Sequence, residues 1–359
     1  MEFNSKYWPV FIEVNVYTSY FNITFLYIEK RRKEVMVEME KQRKLFSSPV
    51  LFLLIAILMG AFIFNKYPSS SKPKEIIEVD LYNIYYIFGI QERLESVNKS
   101  LKEKVKQNLE VKSLRDLTNS RLLSPLPNLW FYAQLTRDKK ASDIHVKESS
   151  TFVRNLQQDN GLFNIDKSSV DNGKKTNISS KLLPTKISVE IFKQYREQIP
   201  KKDTLLETIN NDLSSRIKEG QINGHVLLLL QTLNILEPNS ELINKSREAI
   251  TIDLLQYKII ENITEPAAAL EILMISELLH GNVKFDVQMI KEIELALNKL
   301  QLENGAFPFP NSKGPDILST FAAVEIMVEL GIDINMKDEI LKYTNEIADE
   351  SFHKLRREF

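Results

Sequence analysis

The 359-residue chain contains no cysteine. That excludes disulfides, thiolate metal sites, a cysteine nucleophile and a lipidated-cysteine anchor, so an exported domain must rest on its core alone. Glycine is scarce, at 10 residues against 13 prolines. With abundant Leu, Ile, Lys, Glu and Asn, this usage favours helices over a turn-rich β fold. Net charge is almost absent, at −1, which leaves no electrostatic footprint for nucleic acid. There is no Gly-rich phosphate loop and no Gly-x-Ser-x-Gly nucleophile turn. The four histidines (His145, His225, His280 and His353) form no i,i+4 pair. Neither a metal nor a cofactor is therefore expected. His225 reads as a residue near a helix start, and His280 as one facing a helix C-terminal dipole.

Charge is missing in one further place. From Leu45 to Phe64 no ionisable residue occurs, and Val50 to Phe64 is apolar apart from Gly60. About 20 such residues match the roughly 30 Å hydrocarbon core of a bilayer. Lys41, Arg43 and Lys44 precede the run, with Lys30 to Lys33 a little further back. The positive-inside rule then predicts residues 1–44 in the cytoplasm, a single transmembrane helix over 45–64, and everything beyond it outside the cell membrane. A cleaved signal peptide is the rival, opposed by the bulky Phe62, Phe64 and Tyr67 where a small-x-small site belongs. Residues 1–35 crowd Trp8, Phe11, Tyr17, Tyr20, Phe21, Phe25 and Tyr27 without a clear period. They read as an over-extended start, with Met36 or Met39 opening a more typical one, or as a second membrane-associated segment.

Residues 65–75 form a polar linker with Pro68, Pro73 and three serines. From 76 to 359 a helical period dominates. Leu81, Ile84, Tyr85 and Phe88 recur at three- and four-residue steps, with Gly89 as a stop, and a charged helix follows over 91–109. Residues 164–181 read as a loop. Further helices are predicted over 205–217, 224–236, from Glu241, from Pro266 to Gly281, and over 317–330 with Gly331 as its stop. On the last, Ile317, Phe321, Val324 and Val328 share one face, and Glu325 and Glu329, four apart, lie together elsewhere on its surface. No alternating strand is persuasive.

The chain also repeats itself. Leu156-Gln157-Gln158-Asp159-Asn160-Gly161-Leu162-Phe163 returns as Leu300-Gln301-Leu302-Glu303-Asn304-Gly305-Ala306-Phe307. The two glutamines stand 144 residues apart, room for three units of roughly 48. A second theme recurs in helices: Ser188-Val189-Glu190-Ile191-Phe192, Ala269-Leu270-Glu271-Ile272-Leu273 and Ala323-Val324-Glu325-Ile326-Met327. A third marks helix ends, Phe88-Gly89-Ile90 and Leu330-Gly331-Ile332.

The Gln-x-x-x-Gly-x-Phe pattern, followed by Asp316, Thr320 and the helix from Phe321, resembles the QW-type repeat of the terpenoid cyclase and protein prenyltransferase superfamily. Phe163 and Phe307 stand where that family has tryptophan. The resemblance is good over 298–332, fair over 152–192 and weak elsewhere between about 80 and 280. It implies an all-α fold, an α/α toroid or part of one, in which Gln157, Gly161, Phe163, Gln301, Gly305, Phe307 and Asp316 are structural. The glycines allow positive φ or close approach, the aromatics plug gaps between helix pairs, and the glutamines satisfy helix-end backbone groups.

Chemistry is harder to place. The Asp-x-Asp-Asp acid of the cyclases is missing, and the zinc site of the prenyltransferases cannot form in its usual way without cysteine. Glycan-active toroids need two facing carboxylates and aromatic walls. The weak candidates for catalysis are Asp316, Glu325 and Glu303, and for Asp316 helix capping is the simpler role. Trp130, Phe131 and Tyr132 are either core or the wall that meets an apolar ligand or partner. The expectation is a membrane-anchored, non-catalytic module that binds a peptide, lipid or protein, with a divergent cyclase or prenyltransferase, or a glycan enzyme, as the alternatives.

Overall fold

A computed structural model describes residues 76–110, 113–120, 122–136, 143–166, 178–281 and 284–355. The predicted membrane span at 45–64 and the linker lie outside them. Among the described residues no helix is long and apolar enough to cross a membrane. Ile77–Lys354 group as one unit, and a second, around Tyr17–Ile76 and Leu355–Phe359, lies almost wholly outside the described residues.

The described residues are mostly helical, with fourteen α-helices and four strands of two to four residues. In chain order come β1 (Ile76–Val79), α1 (Leu81–Arg93), α2 (Lys99–Glu110), α3 (Leu114–Thr118), α4 (Pro125–Leu135), α5 (Asp143–Arg154), α6 (Ser179–Tyr195) and α7 (Lys202–Lys218). Then follow α8 (Gly224–Leu236), α9 (Glu241–Ala249), α10 (Ile252–Asn262), α11 (Pro266–His280) and α12 (Val287–Leu300). After β2 (Phe307–Pro308) and β3 (Pro315–Asp316), α13 (Ile317–Leu330), α14 (Lys337–Glu350) and β4 (Phe352–Leu355) end the described chain. β1 pairs with β4, and β2 with β3 in antiparallel register, Phe307 opposite Asp316.

Local chemistry sets the helix ends. Asp80, Ser113, Asn223, Ser240, Thr251, Asp286 and Asp316 each accept a first-turn backbone N–H at an N-terminus. Pro125 and Pro266 stand in first turns, where the missing N–H costs nothing. Gly331 adopts left-handed geometry after α13.

Two kinds of helix result. In α7, α10, α12 and α14 a single stripe is buried, such as Leu205, Ile209 and Leu213 or Ile293 and Leu297. By contrast, α8, α11 and α13 are apolar and buried nearly all round. A helix apolar on every side must be enclosed. The contacts show how: α1 packs on α4, α4 on α6, α6 on α8, α8 on α11, α11 on α13, and α13 back on α1. The one-sided helices lie against these six: α7 on α8, α10 on α11, α12 on α13 and α14 on α1.

Several expectations need correction. Gly89 does not stop α1, which runs on to Arg93 before a break at 94–98. Its missing side chain instead admits the Phe321 ring of α13, which a Cβ would overlap. α6 begins at Ser179, inside the stretch read as loop. The side of α13 that carries Glu325 is enclosed by packing, which leaves the residue 5% exposed.

Candidate functional site

The two turns of the first repeat are built alike. Gln157 Nε2 donates to the Gly161 carbonyl at 2.9 Å, and Gln301 Nε2 to that of Gly305 at 2.9 Å. Asn160 Oδ1 accepts from Leu162 N–H, and Asn304 Oδ1 from Ala306 N–H. The N–H groups of Phe163 and Phe307 donate to Thr185 Oγ1 and Thr320 Oγ1, each at 3.0 Å. Both phenylalanines are fully buried. Gly161 and Gly305 hold φ +82° and +77°. A Cβ there would lie 2.6 Å from Leu205 N or 2.8 Å from Ile340 N, in the first turns of α7 and α14. Each turn therefore seats the start of a one-sided helix and ties itself to an enclosed helix through a threonine. Thr320→Val is expected to cost about 1–3 kcal/mol, because the buried Phe307 N–H then has no acceptor. Thr320→Ser should recover most of this, as read by chemical denaturation.

Superposing Thr185 on Thr320 brings Glu190 onto Glu325, five residues further along each helix. Glu190 accepts from Trp130 Nε1 at 2.7 Å and pairs with Lys186 Nζ at 3.0 Å. Lys186, 2% exposed, also sits 5.1 Å above the Trp130 ring. Burial pushes the Glu190 carboxyl up, against the pull of Lys186 and Trp130. Glu325 faces Arg93 in a forked pair, Oε1 to Nε at 2.9 Å and Oε2 to Nη2 at 2.7 Å. Arg93 Nη2 also reaches Glu329 at 3.1 Å. Burial pushes Glu325 up to about 7, with Glu329 adding to the rise and Arg93 opposing it. Glu277 of α11 lies in the same field and is likewise pushed up to about 7 by burial and by Glu329. The third glutamate of the theme, Glu271, is 1% exposed and fills the space left by Gly224, where a Cβ would meet its Oε2 at 2.6 Å.

Aromatic rings join the two ion clusters. Tyr85 contacts Trp130 at 5.8 Å between centroids, Tyr86 contacts Phe131 at 6.3 Å and Phe321 at 5.4 Å, and Phe321 precedes Glu325 by one turn. Trp130 and Phe131 are buried and Tyr132 is half-buried, so the aromatic patch packs between helices and is not an exposed face.

Comparison with protein-family models, with curated proteins and with solved structures finds no match.

The three weak candidates for catalysis are not brought together. Asp316 caps α13, accepting Ser319 N–H at 2.7 Å. Glu303 is exposed in the turn. Glu325 lies nine residues beyond Asp316, about 13 Å along the helix. His280 Nε2 meets the Ile250 carbonyl at 2.7 Å, and His225 is the second residue of α8. Among the described residues no group of three or more His, Asp or Glu side chains is placed to hold a metal ion. Arg93, Lys186, Glu190 and Glu277 escaped the sequence reading as site residues. The recurring Glu of the helix theme could have pointed to Glu190, and no sequence signal marks the other three.

Proposed function

We propose that the chain is a membrane-tethered binding module built on an α/α toroid, and that it does no chemistry on its ligand. The cyclic order in which six enclosed helices touch supports the toroid, as do the two matching glutamine-to-phenylalanine turns. The uncharged run at 45–64 supports the tether. The observation that carries the absence of chemistry is the fate of the acids. Glu190, Glu325 and Glu329 are each held by a cation of the same fold at 3.1 Å or less, and Asp316 is used as a cap. A general acid must instead be able to give its proton to a ligand. The ligand is a peptide, lipid or protein, met at the outer face of the cell membrane.

One observation favours the cyclase-like alternative. Glu325, pushed up to about 7, sits one turn from Phe321, whose ring meets Tyr86. A carboxyl that titrates near neutrality can act as a general acid.

Full-length protein in sealed, right-side-out vesicles separates the two. The expected result is no turnover of allylic diphosphates, of a squalene-type polyene or of β-linked oligosaccharides, with residues 76–359 removed by external protease. Product formation that disappears in Glu325→Gln would overturn the non-catalytic assignment. Complete protection from protease would overturn the orientation.

A further inference from the structure

The contact between α1 and α13 joins the first and last helices of the cycle. Neutral contacts hold much of it. Phe321 fills the space beside Gly89, and its ring lies 5.4 Å from that of Tyr86. At one end the charges do not balance. A single guanidinium, Arg93, faces Glu325 and Glu329, while Glu277 enters the same field from α11 with no ion pair among the described residues. One cation cannot neutralise three carboxylates.

We propose that this cluster is a proton-responsive clasp, which holds the α1–α13 seam shut in mild acid and lets it open above neutral pH.

Other charged groups stand around these four, and Arg247 of α9 donates to the Leu279 carbonyl, two residues beyond Glu277. On α1, Glu92 is partly exposed beside Arg93. The α11 residue His280 is engaged with Ile250. On α12, Lys299 is exposed and Glu294 partly so. Asp316 lies at the opposite end of α13, where it and Glu350 help burial to raise the Tyr343 hydroxyl of α14. The direction follows from the carboxylates. Glu325 and Glu277 titrate near 7 in the fold against 4.5 ordinarily. Each therefore binds a proton on folding. The stabilisation is complete below 4.5 and is lost as pH rises through 7. The stabilisation thus declines between about pH 4.5 and 7, and its last part is lost between pH 6 and pH 8. The clasp needs only the seam, and it stands whether or not the ring binds a ligand.

Amide hydrogen exchange on the full chain, corrected for intrinsic exchange, tests this at the Leu94, Glu95, Gly331 and Ile332 N–H groups. Protection there should fall on the order of tenfold from pH 6 to pH 8 for a buried group such as Glu325, and less for the half-exposed Glu277. Glu277→Gln should flatten the fall while leaving the Arg93 bridge intact. Glu329→Gln, nearer the solvent, is a second variant with the same expected direction. Equal protection at both pH values in the natural chain would overturn the clasp. So would an undiminished fall in both variants.

Discussion

Gly305→Val is expected to lower the melting temperature of the helical domain by about 10 °C, where Asp316→Asn should leave it nearly unchanged. At Gly305 φ is +77°, and the Cβ of any other residue would stand 2.8 Å from Ile340 N and 3.0 Å from Glu339 Cβ. The obstacle is the backbone at the start of α14, so relief requires the helix to move and not a side chain to rotate. A left-handed β-branched residue costs about 1–3 kcal/mol, and overpacking costs about 1–3 more. By comparison, Asn at 316 keeps an oxygen for the Ser319 N–H and ranks with Asp as a helix cap. Asn also removes a carboxylate whose charged form burial disfavours. Gly161→Val should behave like Gly305→Val, because its Cβ would meet Leu205 N at 2.6 Å. Thermal unfolding of the variants decides. Equal melting temperatures for Gly305→Val and Asp316→Asn would mean that the turn does not fasten α14.

Lys186→Met should destabilise the domain by about 3–5 kcal/mol, and adding Glu190→Gln should recover most of the loss. The single change leaves a carboxylate in a buried place, with Trp130 Nε1 still donating to it at 2.7 Å. Taking the charge away as well leaves an amide that still accepts from Trp130 and has nothing to repel. The cost comes from the orphaned ion more than from the broken bridge, so a double-mutant cycle should show strong coupling. Additive losses in denaturant unfolding would mean that Lys186 and Glu190 act separately. Trp130 fluorescence gives a second readout, since the ring loses both the ammonium above it and, in the double variant, the carboxylate beside it.

How much of this was legible follows from what each residue does. Asp316, Pro266 and Gly331 act on the backbone within a turn of themselves, and they could be read as a cap, a first-turn proline and a helix end. The glutamines close each turn within its own eight residues, so the repeat carried that role, whereas the glycines and phenylalanines answer to Leu205, Ile340, Thr185 and Thr320 outside it. Gly89 failed because its reason is Phe321, 232 positions away. The four-residue spacing of Lys186 and Glu190 is the usual mark of a solvated helix face. Only the tertiary packing reveals that this face is enclosed. Glu325 and Glu329 share the fault, since their partner Arg93 belongs to the other end of the domain. The helices α10, α12 and α14 carry a narrow apolar stripe amid charge, and they went unread beside the strongly apolar α11 and α13.

The meeting of α1 with α13 also bears on how the protein is made. Arg93 and Glu325 are 232 residues apart. At about 5–20 residues per second, α1 leaves the ribosome on the order of 10–50 s before α13 exists. During that interval α1 has no α13 to pack against. Nascent chains cut short before residue 317 are then the natural clients of a holding chaperone, and their aggregation should track the wait imposed by translation.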